Sequence, residues 1–245
     1  MAGRTKDAQG DPTYQELEPS VPVGALVGML MAVLLGVFLA VVAIPVLAPS
    51  LAASLFGEAP KAYWYLSRSS AMAAYGLLWV SMAMGLLISN KMAQLWPGGP
   101  TAFEIHQYTS LLGLNLALFH ALILLGDRFI EYRLVQILIP FESANYEPFA
   151  VGLGQTAFYA LILIAVSFYI RKFIGHKLWR SVHYVSFAGF ILVAFHGWLA
   201  GTDSGAPLVQ ALYLASGVSL VFLLVYRVLA ALIDVERSRR RPKRA

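Results

Sequence analysis

With 245 residues, 59% of them hydrophobic and 13% charged, the chain is far more apolar than a soluble domain, in which about a quarter of residues are charged. It has no cysteine, which excludes disulfides, thiolate metal sites and cysteine-ligated clusters, so any redox metal has to be held by histidine. The net charge of +5 comes from basic residues beside apolar stretches, where they set membrane orientation; no nucleic-acid role is expected.

Residues 1–20 are polar and mixed in charge and read as a disordered cytoplasmic tail. A bilayer crossing needs roughly 20 apolar residues, and the stretches 22–47, 63–89, 102–125, 150–171, 181–200 and 208–233 meet that length. Residues 21–233 therefore read as one all-α integral membrane domain, a bundle of six transmembrane helices in lipid, with a basic cytoplasmic tail over 234–245. The run from Trp96 to Pro100 is a loop that leaves Thr101 as the expected N-cap of the third span. Gly201 to Pro207 separates the last two spans. In the longest connection, 126–149, the mixed run from Phe129 to Val135 suits a helix lying on the membrane surface over the outer end of the bundle.

Lysine and arginine fall mainly on one side of these spans. That side holds Arg4, Lys6, Lys91, Arg171, Lys172, Lys177, Arg180, Arg227 and the run from Arg237 to Arg244; the other holds Lys61, Arg68, Arg128 and Arg133. Cytoplasmic sides are enriched in such residues, so both termini are expected in the cytoplasm of a multi-pass protein of the inner or plasma membrane. Lys, Asp and Glu are nearly absent from the span interiors, which leaves a carboxylate pathway for protons or ions unsupported.

The histidines are His106, His120, His176, His183 and His196. Ionisable groups inside a bilayer are costly and usually functional. His106 and His120 are 14 residues apart on the third span, which at about 100° and 1.5 Å per residue places them about 40° apart in azimuth and about 21 Å apart in depth. His183 and His196 are 13 apart on the fifth span, a rise of about 20 Å. Spans three and five run in the same direction, so His106 is expected to face His183 near the cytoplasm and His120 to face His196 near the outer surface. Two imidazoles facing each other at two depths suit two b-type haems, each with both axial positions filled. Zinc or non-haem iron is disfavoured, because no carboxylate or thiolate accompanies the histidines at ligand spacing. One feature fits poorly: 13 residues at ideal twist turn the second ring by about 220°, which asks for a change of twist near Gly189 or a non-helical His183. Gly113 lies midway between His106 and His120, where a missing side chain lets a porphyrin edge approach; its ordinary role is helix packing. His176 reads as a solvated loop residue held in reserve as a ligand.

These residues resemble the ferric reductase-like transmembrane domain, a haem-binding core shared by ferric reductases, NADPH oxidases and the membrane subunit of bacterial methionine sulfoxide reductase systems. The likeness covers about 63–232 and rests on the histidine spacing, on Leu178 to Tyr184, on His196 to Asp203, and on Leu66 to Ser70 with Arg68. It implies that His106, His120, His183 and His196 are axial ligands of two haem b. Haem propionates want cationic or aromatic donors at the membrane surface. Lys177 and Arg180 are placed for the inner haem, and Arg68 for the outer haem or an anionic acceptor. Ferric reductases and oxidases carry a flavin and nicotinamide module that is not visible in this sequence, which has no phosphate-cradling Gly-rich strand–turn–helix. The expected donor is therefore a separate flavoprotein reductase or a quinol, and the acceptor oxygen, a ferric chelate or an extracytoplasmic protein. The alternatives are the membrane subunit of a methionine sulfoxide reductase, and a non-redox haem transporter or assembly factor.

Overall fold

The computed structural model of the chain describes residues 19–56, 61–127, 130–144 and 146–240. The tail before residue 19, Arg128, Phe129 and residues 241–245 lie outside that set. All regular structure among the described residues is helical. Six helices are long and apolar enough to cross a membrane. We number them α1 (Val23–Leu47), α2 (Lys61–Ser89), α3 (Gly99–Ile123), α4 (Pro148–Tyr169), α5 (His176–Ala200) and α6 (Pro207–Arg240). Residues 20–21 meet Gln107 and Tyr169 at one end of the bundle, here the terminus side. Arg68, Tyr146 and Asp203 meet at the other, the far side.

Several boundaries depart from the sequence expectation, each for a local reason. The third span starts at Gly99 rather than after Thr101, with Gly98 in a left-handed conformation (φ 103°) at the cap and Pro100 in the first turn. Proline is suited to that place because its missing N–H has no intrahelical partner there. Helix α5 begins five residues early. Gly175 at φ 83° breaks the short turn Arg171–Ile174 and restarts the chain as a helix, so His176, Lys177 and Arg180 are helical instead of lying in a loop. Helix α6 runs on to Arg240, past the boundary expected at 233. In the long connection the surface helix is shorter and later than expected, spanning Leu134–Leu138.

Helix α1 contains a π-helical turn, Leu39–Ala43, just before Pro45. Proline has no N–H to close a backbone bond, and the wider π turn leaves the Ala40 carbonyl to be met from outside. The Tyr63 hydroxyl donates to it at 2.8 Å. This polar bond ties the first span to the start of the second.

Helices α2 and α3 pack along their length as one antiparallel hairpin and α4 and α5 as another, with α1 laid on α3 and α6 on α2. Small residues set the first seam. At Gly113 of α3 a β-carbon would sit 3.2 Å from Leu78 Cγ and 3.4 Å from the Ala74 carbonyl, so the close approach that Gly113 permits is to α2. The lipid-facing sides of α1 and α6 stay apolar, with Phe38 and Phe222 more than half exposed, as a bilayer solvent requires. Helices α3 and α5, which carry the paired histidines, barely approach each other. The space between the two hairpins is where the histidine rings project.

Candidate functional site

The structure brings the four histidines together as two facing pairs. The ring centroids of His106 and His183 are 6.0 Å apart, and those of His120 and His196 are 6.1 Å apart. Helix α5 is an unbroken α-helix from His176 to Ala200, so neither a twist change at Gly189 nor a non-helical His183 supplies the pairing. The wide gap between α3 and α5 does so: rings leaving two flanks of one helix can both enter it, which a tight helix seam would forbid. Among the described residues no group of three or more His, Cys, Asp or Glu converges. The four histidines therefore meet as two pairs of imidazoles with no carboxylate beside them.

Three of the four rings are held by one device. Nδ1 of His106 donates to the Ser81 carbonyl at 2.8 Å, Nδ1 of His120 to the Ser67 carbonyl at 2.9 Å, and Nδ1 of His196 to the Ala150 carbonyl at 2.8 Å. A carbonyl only accepts, so Nδ1 carries the proton and Nε2 keeps its lone pair. Outer partners of this kind fix the tautomer of metal-binding histidines and raise their basicity. At two positions the lock is reciprocal: the Ser67 hydroxyl donates to the His120 carbonyl at 2.9 Å and the Ser81 hydroxyl to the His106 carbonyl at 3.3 Å. Ser67 and Ser81 are 14 residues apart on α2, as His106 and His120 are on antiparallel α3, so the same contact is made twice.

A small residue four positions after each acceptor gives the ring its seat. Gly85 follows Ser81, and a β-carbon there would be 3.3 Å from His106 Cε1. Gly154 follows Ala150, and a β-carbon there would be 2.7 Å from the His196 ring. Ala71 stands in the same relation to Ser67. A side chain at i+4 lies over the carbonyl of residue i, so a bulky one would cover the acceptor. Ser67, Ser81, Ala150, Gly85 and Gly154 were not found by sequence reasoning; the 14-residue repeat of Ser67 and Ser81, matching that of the histidines, is the signal that could have found them.

His183 differs. Among the described residues it has no hydrogen bond, and its ring rests on Trp179, centroids 5.5 Å apart. The 13-residue spacing explains the loss. On α4 the residue that stands to His183 as Ala150 stands to His196 is Leu163, 60% exposed on the outside of the bundle. Thirteen residues turn both helices of this hairpin by about 220°, so the carbonyl that locks the first ring has no counterpart at the second.

Around the far pair lies a cavity of about 430 Å³ lined by both rings, Arg68, Tyr132, Tyr146 and Tyr213 among others. The long connection covers this end, as expected, through non-helical as well as helical residues. Arg68 is already engaged, donating from Nε to Asp203 Oδ2 at 2.8 Å and forming a second, ion-paired contact with the same carboxylate. At the terminus end Lys177 and Arg180 are exposed, and Arg180 donates to the Tyr184 hydroxyl at 3.1 Å. His176 stacks on Trp179, centroids 5.2 Å apart, two helical turns from His183 and away from the pair.

Between the two levels the bundle is filled. Tyr75, Leu78 and Phe190 form a buried cluster, with Tyr75 and Phe190 centroids 5.5 Å apart. The Tyr75 hydroxyl is bonded to Ser216 at 2.6 Å, which fixes the ring against α6.

A first-row metal sits about 2.0–2.1 Å from an imidazole nitrogen, and that nitrogen lies about 1 Å from the ring centre, so rings on opposite sides of one metal have centroids roughly 6.2 Å apart. Both pairs lie close to that separation, and in the three anchored rings the bond at Nδ1 leaves Nε2 with its lone pair free. No family model matches the chain, and neither does any curated protein or solved structure. The likeness to the ferric reductase-like domain therefore rests on the histidine spacing and the segments quoted for it.

Proposed function

We propose that the chain is a transmembrane b-type cytochrome in which His106 with His183, and His120 with His196, hold two haems at two depths and pass electrons across the bilayer. The observation that carries this reading is the pair of ring separations, 6.0 and 6.1 Å, reached on helices whose backbones stand apart. When bound, haem supplies one-electron redox chemistry that histidine alone lacks. The residues of the chain do the rest. Ser67, Ser81 and Ala150 orient the rings through their carbonyls, and the Tyr75–Phe190 stack fills the space between the levels. The Arg68–Asp203 pair leaves Arg68 less free for a propionate than an unpaired arginine, so its part at the far haem is to close the cavity from above. On this reading the terminus side is cytoplasmic, the donor is a flavoprotein or a quinol, and the acceptor is on the far side.

The test is a haem-to-protein ratio with reduced-minus-oxidised spectra on purified full-length chain. The expected ratio is about two, with low-spin b-type spectra, because four histidines fill both axial sites of two irons. A preparation without haem, from cells supplied with it, would refute the proposal. Orientation is read separately: a cysteine placed by Ser204→Cys should react with an impermeant reagent from outside the cell, and one placed by Ser238→Cys should not. The reverse pattern exchanges the inner and outer sites.

A further inference from the structure

We infer that the terminus-side site is a ligand-exchange site, in which His183 gives way to a small neutral molecule while the far site stays closed to it. The inference rests on the haem reading above and goes beyond it by making the two sites chemically unequal.

The inequality is in how the rings are held. His106, His120 and His196 each have Nδ1 anchored on a backbone carbonyl at 2.8 or 2.9 Å. His183 has no such anchor among the described residues; its ring contacts are with Trp179 and with His106 across the gap. Loss of an outer partner of this kind typically weakens a metal–imidazole bond about 10–100-fold. The far site has an anchored ring on each side of the gap; the terminus site has one anchored and one loose. Of four axial bonds, the one to His183 is the weakest.

What stands beside that ring is a pair of polar atoms without partners. Trp179 Nε1 and His176 Nε2 are buried nitrogens with no hydrogen-bond partner, in rings stacked in sequence from His176 through Trp179 to His183. Buried polar atoms are nearly always partnered, and an orphan costs about 1–3 kcal/mol. Two orphans in adjoining rings, next to the one unanchored ring, point to a small guest whose polar end they meet. The class that fits carries a lone pair to bind iron and a far atom able to accept a hydrogen bond from the indole N–H. In the exchange the iron–Nε2 bond of His183 breaks, the guest's lone pair forms the new bond, His183 leaves as neutral imidazole, and no electron or proton changes hands.

Carbon monoxide is the probe, added to the dithionite-reduced full-length protein. About half of the haem should take up CO, with the two haems differing in CO affinity by about 10–100-fold. Trp179→Phe should move the C–O stretching frequency of the haem that is retained, which places the bound CO beside Trp179. The double variant His120→Ala with His196→Ala, which lacks both far ligands, should keep the CO-binding haem. Haem at full content that ignores CO, or CO uptake by both haems alike, overturns the inference and leaves the cytochrome reading standing. So does a C–O frequency that Trp179→Phe leaves unmoved. Absence of haem defeats both.

Discussion

At the far end of the bundle the polar groups near the histidine pair are matched. Tyr132 bonds Ser143 at 3.0 Å, Tyr146 donates to the Ala200 carbonyl at 2.6 Å, Gln155 donates to the carbonyls of Gln136 and Ile137, and Arg68 is paired with Asp203. These bonds draw the described parts of the connection, 130–144 and 146–147, down onto the cavity. At the terminus end the described residues form no comparable set of bonds around the histidine pair, although Ser20 and Val21 are held there by Gln107 and Tyr169. There His176 and Trp179 keep buried nitrogens unpartnered, His183 is unanchored, and Lys177 and Arg180 point to solvent. Satisfied hydrogen bonds in a low-dielectric setting rigidify, and unsatisfied ones mark places that are completed by something else. The contrast teaches that the two histidine pairs, alike in separation, sit in different hydrogen-bonding surroundings among the described residues: one matched, one with unpartnered nitrogens beside it.

The largest expected effect tests whether the two levels are independent. His120→Ala or His196→Ala should remove the far haem and leave most of the other, halving the haem-to-protein ratio; His106→Ala should do the converse. Loss of both haems from each single variant would mean that the levels fold as one unit. Unchanged haem content in all three would sink the ligand assignment.

A smaller effect sharpens the comparison at the ring seats. Gly154→Ala places a β-carbon 2.7 Å from the His196 ring, whereas Gly85→Ala places one 3.3 Å from His106. The first distance cannot be tolerated without displacing the ring and its bond to Ala150, so the far haem should be weakened strongly. The second asks the ring to shift by a few tenths of an ångström, and the terminus-side haem should survive. Haem retention during purification reads both. Ser67→Ala is milder still, because it removes the hydroxyl but keeps the carbonyl that anchors His120. A reduction in far-haem affinity of about tenfold, the low end for an outer partner, is expected, and an intact far haem after Gly154→Ala would show that the seat is not needed.

Much of this was legible in the sequence. Six spans announce themselves by length and hydropathy, and the 14-residue repeat of His106 and His120 gives both pairings once spans three and five are taken as parallel. The anchoring of the rings was not legible, because it runs through the backbone carbonyls of Ser67, Ser81 and Ala150, and a carbonyl has no signature in residue identity. Gly154 was hidden for a related reason: its role depends on the register of α4 against α5, which hydropathy does not set. The mismatch of the 13-residue spacing, by contrast, was visible, and its consequence is a missing anchor at His183 instead of a bent helix. At Gly113, midway between two histidines, a β-carbon would meet Leu78 and Ala74 of α2, so what the structure shows there is the helix-packing role, which spacing alone does not separate from room for a cofactor edge.

The smallest expected effect concerns the cover itself and its response to alkali. Tyr132 and Tyr146 both have phenol pKa values above the ordinary range. For Tyr132 burial raises it, opposed by the bond to Ser143. For Tyr146 burial raises it most, followed by the charges of Glu147 and Tyr132, with Arg68 opposing. With the cover open, both phenols ionise near the ordinary value of about 10; with it closed they hold their protons to higher pH. A group whose pKa is raised in the closed state lends stability that is complete below the open-state pKa and is lost as pH rises through the closed-state one. The cover should therefore be insensitive to pH up to about 10 and loosen above it, while the α2–α3 seam, whose cross-helix bonds run from imidazoles to carbonyls, does not lose a phenol bond in that range. A phenolate-absorbance titration of the intact protein should show a late-ionising class that shrinks in Tyr132→Phe and again in Tyr146→Phe. If neither substitution shrinks it, these two phenols ionise together with the exposed tyrosines, and the connection does not close over the far cavity.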